Sequence, residues 1–140
     1  MKNLVIIALL SVLFTACESN KVLAENEIPT AITNYIQTHF PNHKILQVEK
    51  ERDGLTKSYD VILDGNIVLE FNKKHNIKSI EAKSALPQSV IPAKIWDFVQ
   101  REYPGVAIFE YELDDNRQKV ELENRLELEF NKAGDFLRLD

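Results

Sequence analysis

The chain carries one motif twice. Ile28-Pro29 returns as Ile91-Pro92, Phe40-Pro41 as Tyr103-Pro104, Ile45 as Ile108 and Glu49 as Glu112, each 63 residues further on. Val61, Leu63 and the run Leu69-Glu70-Phe71-Asn72-Lys73 return as Val120, Leu122 and Leu128-Glu129-Phe130-Asn131-Lys132, 59 residues further on. Over the 40 positions 23–49 and 61–73, fifteen are identical, where roughly two or three would match by chance at average composition. The second copy lacks four residues, all between Glu112 and Val120. A loss confined to one gap is what a shortened hairpin loop looks like. A duplication of this kind restricts the fold to two like units that stack on one another or share a core.

Each copy reads as one helix followed by four strands. Ile32, Tyr35, Ile36, His39 and Phe40 recur at helical spacing, as do Ile95, Phe98, Val99 and Tyr103. Pro29 and Pro92 suit the first turn, where a missing N–H costs nothing. Pro41 and Pro104 stop the helices, because the residue before a proline avoids the helical region. The period then drops to two. Leu46 and Val48 alternate with Gln47 and Glu49, then come Tyr59-Val61-Leu63 and Ile67-Leu69-Phe71, with a tight-turn signal at Asp64-Gly65-Asn66 between them, and a short last strand carries Ile77 and Ile80. Copy two repeats the pattern with Phe109-Tyr111-Leu113, Val120-Leu122, Leu126-Leu128-Phe130 and Phe136 to Leu139. Short turns imply antiparallel pairing.

One copy is about 58 residues, a size at which a core is marginal on its own. Two copies side by side can share one sheet. The expected fold is therefore α+β: two tandem α-β-β-β-β repeats sharing an antiparallel sheet of about eight strands, both helices on one face and the other face open. The expected organisation is residues 1–17 as a signal, 18–24 as a linker, 25–82 as the first repeat and 83–140 as the second.

The N-terminus has the layout of an export signal: a basic start at Lys2, a continuous apolar stretch from Leu4 to Phe14, then Thr15-Ala16-Cys17 and a polar sequence. The apolar run falls short of the ~20 residues a membrane span needs. Cys17 is the only cysteine, and its position at the end of the run resembles the lipidation site of a bacterial lipoprotein signal. Cleavage after Ala24, behind Val22-Leu23, is the competing reading. Lipidation would tie the protein to a membrane of the bacterial envelope, and either route places it in the periplasm or on the outer membrane. With one cysteine, no disulfide can form within the chain.

Charge and motifs exclude several functions. Removing residues 1–17 takes away one lysine and no acid, which moves the net charge from −5 to −6. An acidic chain without a basic cluster is a poor partner for nucleic acid. His39 and His43 are separated by Pro41 and lack a third ligand, so no metal site is expected there. There is no glycine-rich phosphate loop and no Gly-x-Ser-x-Gly elbow. No catalytic residues and no cofactor are expected.

The candidate binding residues lie on the strand positions that alternate with the core set. Glu121, Glu123, Glu127 and Glu129 alternate with Val120, Leu122, Leu126 and Leu128, which places all four carboxylates on the outward face. A solvated face, a basic partner surface and a weak Ca²⁺ site are the three readings. In copy one Ile62 and Val68 stand at the positions of Glu121 and Glu127. The open face should thus join an apolar patch from copy one to an acidic patch from copy two.

The string Ile-Pro, apolar helix, Phe/Tyr-Pro, Val-x-Leu and Leu-Glu-Phe-Asn-Lys, written twice behind an export signal, resembles the PepSY-like proteins. That group is also described as similar to β-lactamase inhibitor proteins. The likeness covers residues 23–140. In that family the phenylalanine is usually followed by Asp-Lys-x-Gly. Here Asn72 and Asn131 replace the aspartate, Gly134 keeps the glycine and His75 stands in its place in copy one, which implies a different turn there. The resemblance implies a non-catalytic envelope or periplasmic binding protein whose protein partner is unidentified, one role being inhibition of a secreted or periplasmic protease or other hydrolase. A structural, accessory lipoprotein of a larger envelope assembly is the alternative.

Overall fold

The computed structural model describes residues 20–53 and 56–140. In chain order the elements are β1 (Lys21–Val22), α1 (Thr30–His39), β2 (Ile45–Asp53), β3 (Thr56–Leu63), β4 (Ile67–Asn72), β5 (Ile77–Glu81), α2 (Ala93–Glu102), β6 (Ile108–Leu113), β7 (Arg117–Leu122), β8 (Glu127–Asn131) and β9 (Phe136–Leu139). A 3-10 turn precedes each helix, at Glu25–Glu27 and Gln88–Val90. All nine strands form one antiparallel sheet in sequence order. The expected eight become nine because Lys21–Val22, read as linker, pairs with β2 at Lys50 and Glu49. Residues 1–17, read from sequence as an export signal ending at Cys17, lie outside the described residues.

The two copies are welded at β5 and β6, where Ser79, Ile80 and Glu81 pair with Glu112, Tyr111 and Glu110. The period-two residues of both copies then line one face. Val61, Leu63, Leu69 and Phe71 of copy one and Val120, Leu122, Leu128 and Phe130 of copy two are all buried there, together with Ile32 and Ile36 of α1 and Ile95 and Val99 of α2. Tyr35 meets Phe71 edge-on at 5.4 Å, and Phe98 meets Phe130 the same way at 5.4 Å. Both helices therefore back the same side of the sheet. Pro29 and Pro92 sit one residue before the helices, and their carbonyls accept the first helical N–H groups, from Ile32 and Ile95.

The four-residue difference between copies is a shortened hairpin, as expected. β2 and β3 pair out to Asp53 and Thr56, whereas β6 and β7 stop at Leu113 and Gln118. Two inward assignments need correction. Alternation assigns Leu46 and Phe109 to the core set, but each is the extra residue of a β-bulge, between Ile45 and Gln47 and between Ile108 and Glu110. A bulge resets the alternation by one residue. Ile45 and Ile108 take the inward places, and Leu46 is left exposed.

The turn at His75 also departs from expectation. His75 adopts φ +63° and Gly134 φ +80°, so both copies make the same turn. The reason is the asparagine before it. Asn72 Oδ1 accepts the N–H groups of Lys74 and Asn76, and Asn131 Oδ1 accepts those of Ala133 and Asp135. These bonds hold the turn, while His75 bears the ~1–2 kcal/mol cost of a left-handed residue with a Cβ and packs against Tyr59 at 5.1 Å. Asn131→Ala removes two such bonds and should lower stability by about 1–2 kcal/mol, with Asn72→Ala similar. The check is a reduced urea midpoint with an unchanged slope.

Candidate functional site

The face of the sheet away from the helices is uncovered by any described element, and strand register determines what it displays. One row crosses seven strands. It runs from Gln47 through Ile62, Val68, Glu81, Glu110 and Glu121 to Glu127, each residue directly opposite the next. After Gln47 come two apolar residues, Ile62 and Val68, 37% and 41% exposed. Its second half is four carboxylates on adjacent strands, a spacing of ~4.5–5.5 Å between Cβ atoms. The neighbouring row adds Glu49, Asp60 and Glu70 on copy one and Glu112 beside Lys119 on copy two.

Cations answer three of the four carboxylates of the row. Arg125 reaches Glu121 at 2.8 Å, Lys119 reaches Glu127 at 2.9 Å and Lys83 lies 3.7 Å from Glu81. Among the described residues Glu110 has no ion pair. Partial burial, then the charges of Glu81, Glu121, Glu112 and Glu127, raise its carboxyl above the usual range. Asp60 is pushed up to about 6, first by burial and then by Glu51, Glu70 and Glu49. Glu110, Glu112, Glu121, Glu127 and Lys119 line a shallow depression of about 40 Å³, room for water rather than for a substrate.

Of the residues read from sequence, the structure brings Ile62 and Val68 together as a cross-strand pair, and Glu121 and Glu127 likewise. Two placements need correction. Glu129 is 3% exposed. Arg117 reaches its Oε1 at 2.5 Å, and Arg138 approaches Oε2 at 2.7 Å as a charge contact rather than an aligned hydrogen bond. Two arginine side chains from the flanking strands thus cover it. Glu123 is not on the strand face, because β7 ends at Leu122; it is exposed in the turn, its N–H bonded to Ala107 O. Alternation along one hairpin missed Glu81 and Glu110, whose importance depends on β5 lying beside β6. The duplication, with both ends of each copy as strands, was the available signal.

Among the described residues no three His, Cys, Asp or Glu side chains group so as to hold a metal ion. His39 Nδ1 lies 2.9 Å from Ser89 Oγ and His43 Nδ1 lies 3.0 Å from Asp64 Oδ1, so the two rings serve separate contacts. Likewise, no helix of the described residues is long and apolar enough to cross a membrane.

The described residues thus form a tandem repeat whose helices back one face of the sheet and whose other face is charged. The chain belongs to the PepSY-like family, whose description is "putative beta-lactamase-inhibitor-like", with residues 13–56 and 57–138 matching the family model. Solved relatives agree. A "putative periplasmic protein" from Bacteroides vulgatus is 33% identical, covering 86% of this chain and 96% of its own, with a TM-score of 0.81. A "putative calcium-regulated periplasmic protein" from Bacteroides thetaiotaomicron is 31% identical over 86% of this chain and 96% of its own, with a TM-score of 0.82. A second Bacteroides vulgatus "putative periplasmic protein of unknown function" is 33% identical over 87% and 99%, with a TM-score of 0.81. No curated protein matches the chain. These likenesses place the protein in the periplasm, and they indicate no catalytic family.

Because folding raises the Glu110 and Asp60 carboxyls above their unfolded values, their ionisation works against the folded state as pH rises. Glu110→Gln and Asp60→Asn should each stabilise the protein at pH 8. For Asp60 the gain should fade as pH falls from about 6 toward 3.8, below which the carboxyl is protonated both folded and unfolded. Urea midpoints of wild type and variants at pH 8 and pH 4 test this; an equal gain at both pH values would contradict it.

Proposed function

We propose that this chain is a non-catalytic binding protein of the bacterial envelope that holds a protein partner on its open sheet face. The observation that carries the reading is the single row in which exposed Ile62 and Val68 continue into Glu81, Glu110, Glu121 and Glu127. Adjacent like charges destabilise a sheet by a few tenths of a kcal/mol or more per pair. A partner surface with lysine or arginine beside an apolar patch relieves that repulsion and covers the two aliphatic side chains. The family description favours a partner that is an enzyme, a protease or other hydrolase restrained by the contact. Attachment through a lipid on Cys17 would hold the complex at a membrane.

The test begins with crosslinking in the native cell to identify the partner, followed by titration of the purified pair. Glu110→Lys with Glu127→Lys should weaken binding by at least about ten-fold, equivalent to ~1.4 kcal/mol, and Ile62→Asp should weaken it as well. Rising salt should reduce the association rate. Binding indifferent to all three substitutions would remove the face from consideration.

Lipid attachment is tested separately. Radioactive palmitate fed to cells should label the wild-type protein and leave Cys17→Ser unlabelled; label on the variant would refute attachment at Cys17.

A further inference from the structure

The two copies differ at the start of their first long strand, and the difference leaves a groove. In copy two, chain beyond β5 continues along the edge of β6. Ala82 N–H bonds Phe109 O at 2.9 Å and Leu86 N–H bonds Ile108 O at 2.8 Å. Leu86 and Ala82 are both buried, and Ile108 beneath them is 2% exposed. In copy one no described segment takes this place. Leu23 N–H bonds Val48 O at 2.9 Å, and the chain then turns away into the 3-10 turn at Glu25–Glu27. The counterparts of Ile108 and Phe109 are Ile45 and Leu46. Ile45 is only partly buried and Leu46 is 64% exposed. Between this edge and α1 runs a cleft of about 490 Å³, whose apolar lining includes Leu23, Ile28, Ile36, Phe40, Ile45 and Leu46.

We infer that this groove takes an extended peptide of another polypeptide, which adds to the edge of β2 as Ala82–Leu86 adds to the edge of β6. The occupant's chemistry follows from the segment already seated in copy two. A small residue must pass close to the strand where Ala82 does, and an aliphatic side chain four positions later must fill the cleft as Leu86 does. Main-chain N–H groups then meet the carbonyls of Ile45 and Leu46, the usual means by which a strand edge captures a peptide. The groove lies between α1 and the edge of β2, on the helix side of the sheet, whereas Glu81, Glu110, Glu121 and Glu127 lie on the other face, so this inference does not rest on the partner proposed for the open face.

The test uses residues 18–140, which contain every described element, labelled with ¹⁵N and titrated with the acetylated and amidated peptide Ala-Lys-Ser-Ala-Leu-Pro-Gln, a copy of residues 82–88. The expected result is saturable shifts at the amides of Ile45, Leu46 and Gln47, and at least about ten-fold weaker binding when aspartate replaces the peptide's leucine, whose apolar burial that change removes. Leu46→Lys, at a position 64% exposed, should weaken binding similarly. Absence of shifts at millimolar peptide would overturn the inference. So would shifts confined to Glu110, Glu121 and Glu127, which would mean that the peptide lysine had found the acidic row instead.

Discussion

Everything described here depends on three residues of β5 pairing with three of β6. Ser79, Ile80 and Glu81 against Glu112, Tyr111 and Glu110 turn two units of marginal size into one sheet with one core. The same pairing creates the candidate site. Glu81 belongs to copy one and Glu110 to copy two, so the row of four carboxylates and its continuity with Ile62 and Val68 exist only in the joined protein. Stability and display are thus consequences of a single junction.

The charge arrangement on the open face is uneven in an informative way. At Glu129 two arginines close over a carboxylate and remove it from contact. At Glu81, Glu121 and Glu127 single cations approach from residues that are themselves substantially exposed, so each is free to be exchanged for a partner's cation. Among the described residues Glu110 has none. Along the row the four negative charges are contiguous, with Lys119 in the row beside them.

Much of the fold was legible in the sequence because the duplication allows each element to be read twice. Ile32, Ile36, Ile95 and Val99 mark the helices, and Leu69-x-Phe71 and Leu128-x-Phe130 mark the central strands. What escaped reading has physical causes. A bulge adds one residue without any sequence mark, so Leu46 and Phe109 fell on the wrong side of the alternation. His75 looked incompatible with a glycine turn because the two hydrogen bonds that Asn72 supplies were not counted. The burial of Glu129 required knowing that Arg138 on β9 lies beside it, which is a matter of register and not of spacing along the chain. The acidic row was half seen: Glu121 and Glu127 are one hairpin, whereas Glu81 and Glu110 meet only through the junction.

The two-residue strand β1 has a consequence out of proportion to its length. Val22 stands to Glu49 as Ser79 stands to Glu112, so β1 occupies on the first repeat the place that β5 occupies on the second. The outermost edges of the sheet are therefore the two halves of the joint that fuses the repeats. Without a plug, such a pair of edges would permit head-to-tail growth into an open fibre. Lys21-Val22 fills one half, and the four-residue, bulged, arginine-bearing β9 blunts the other.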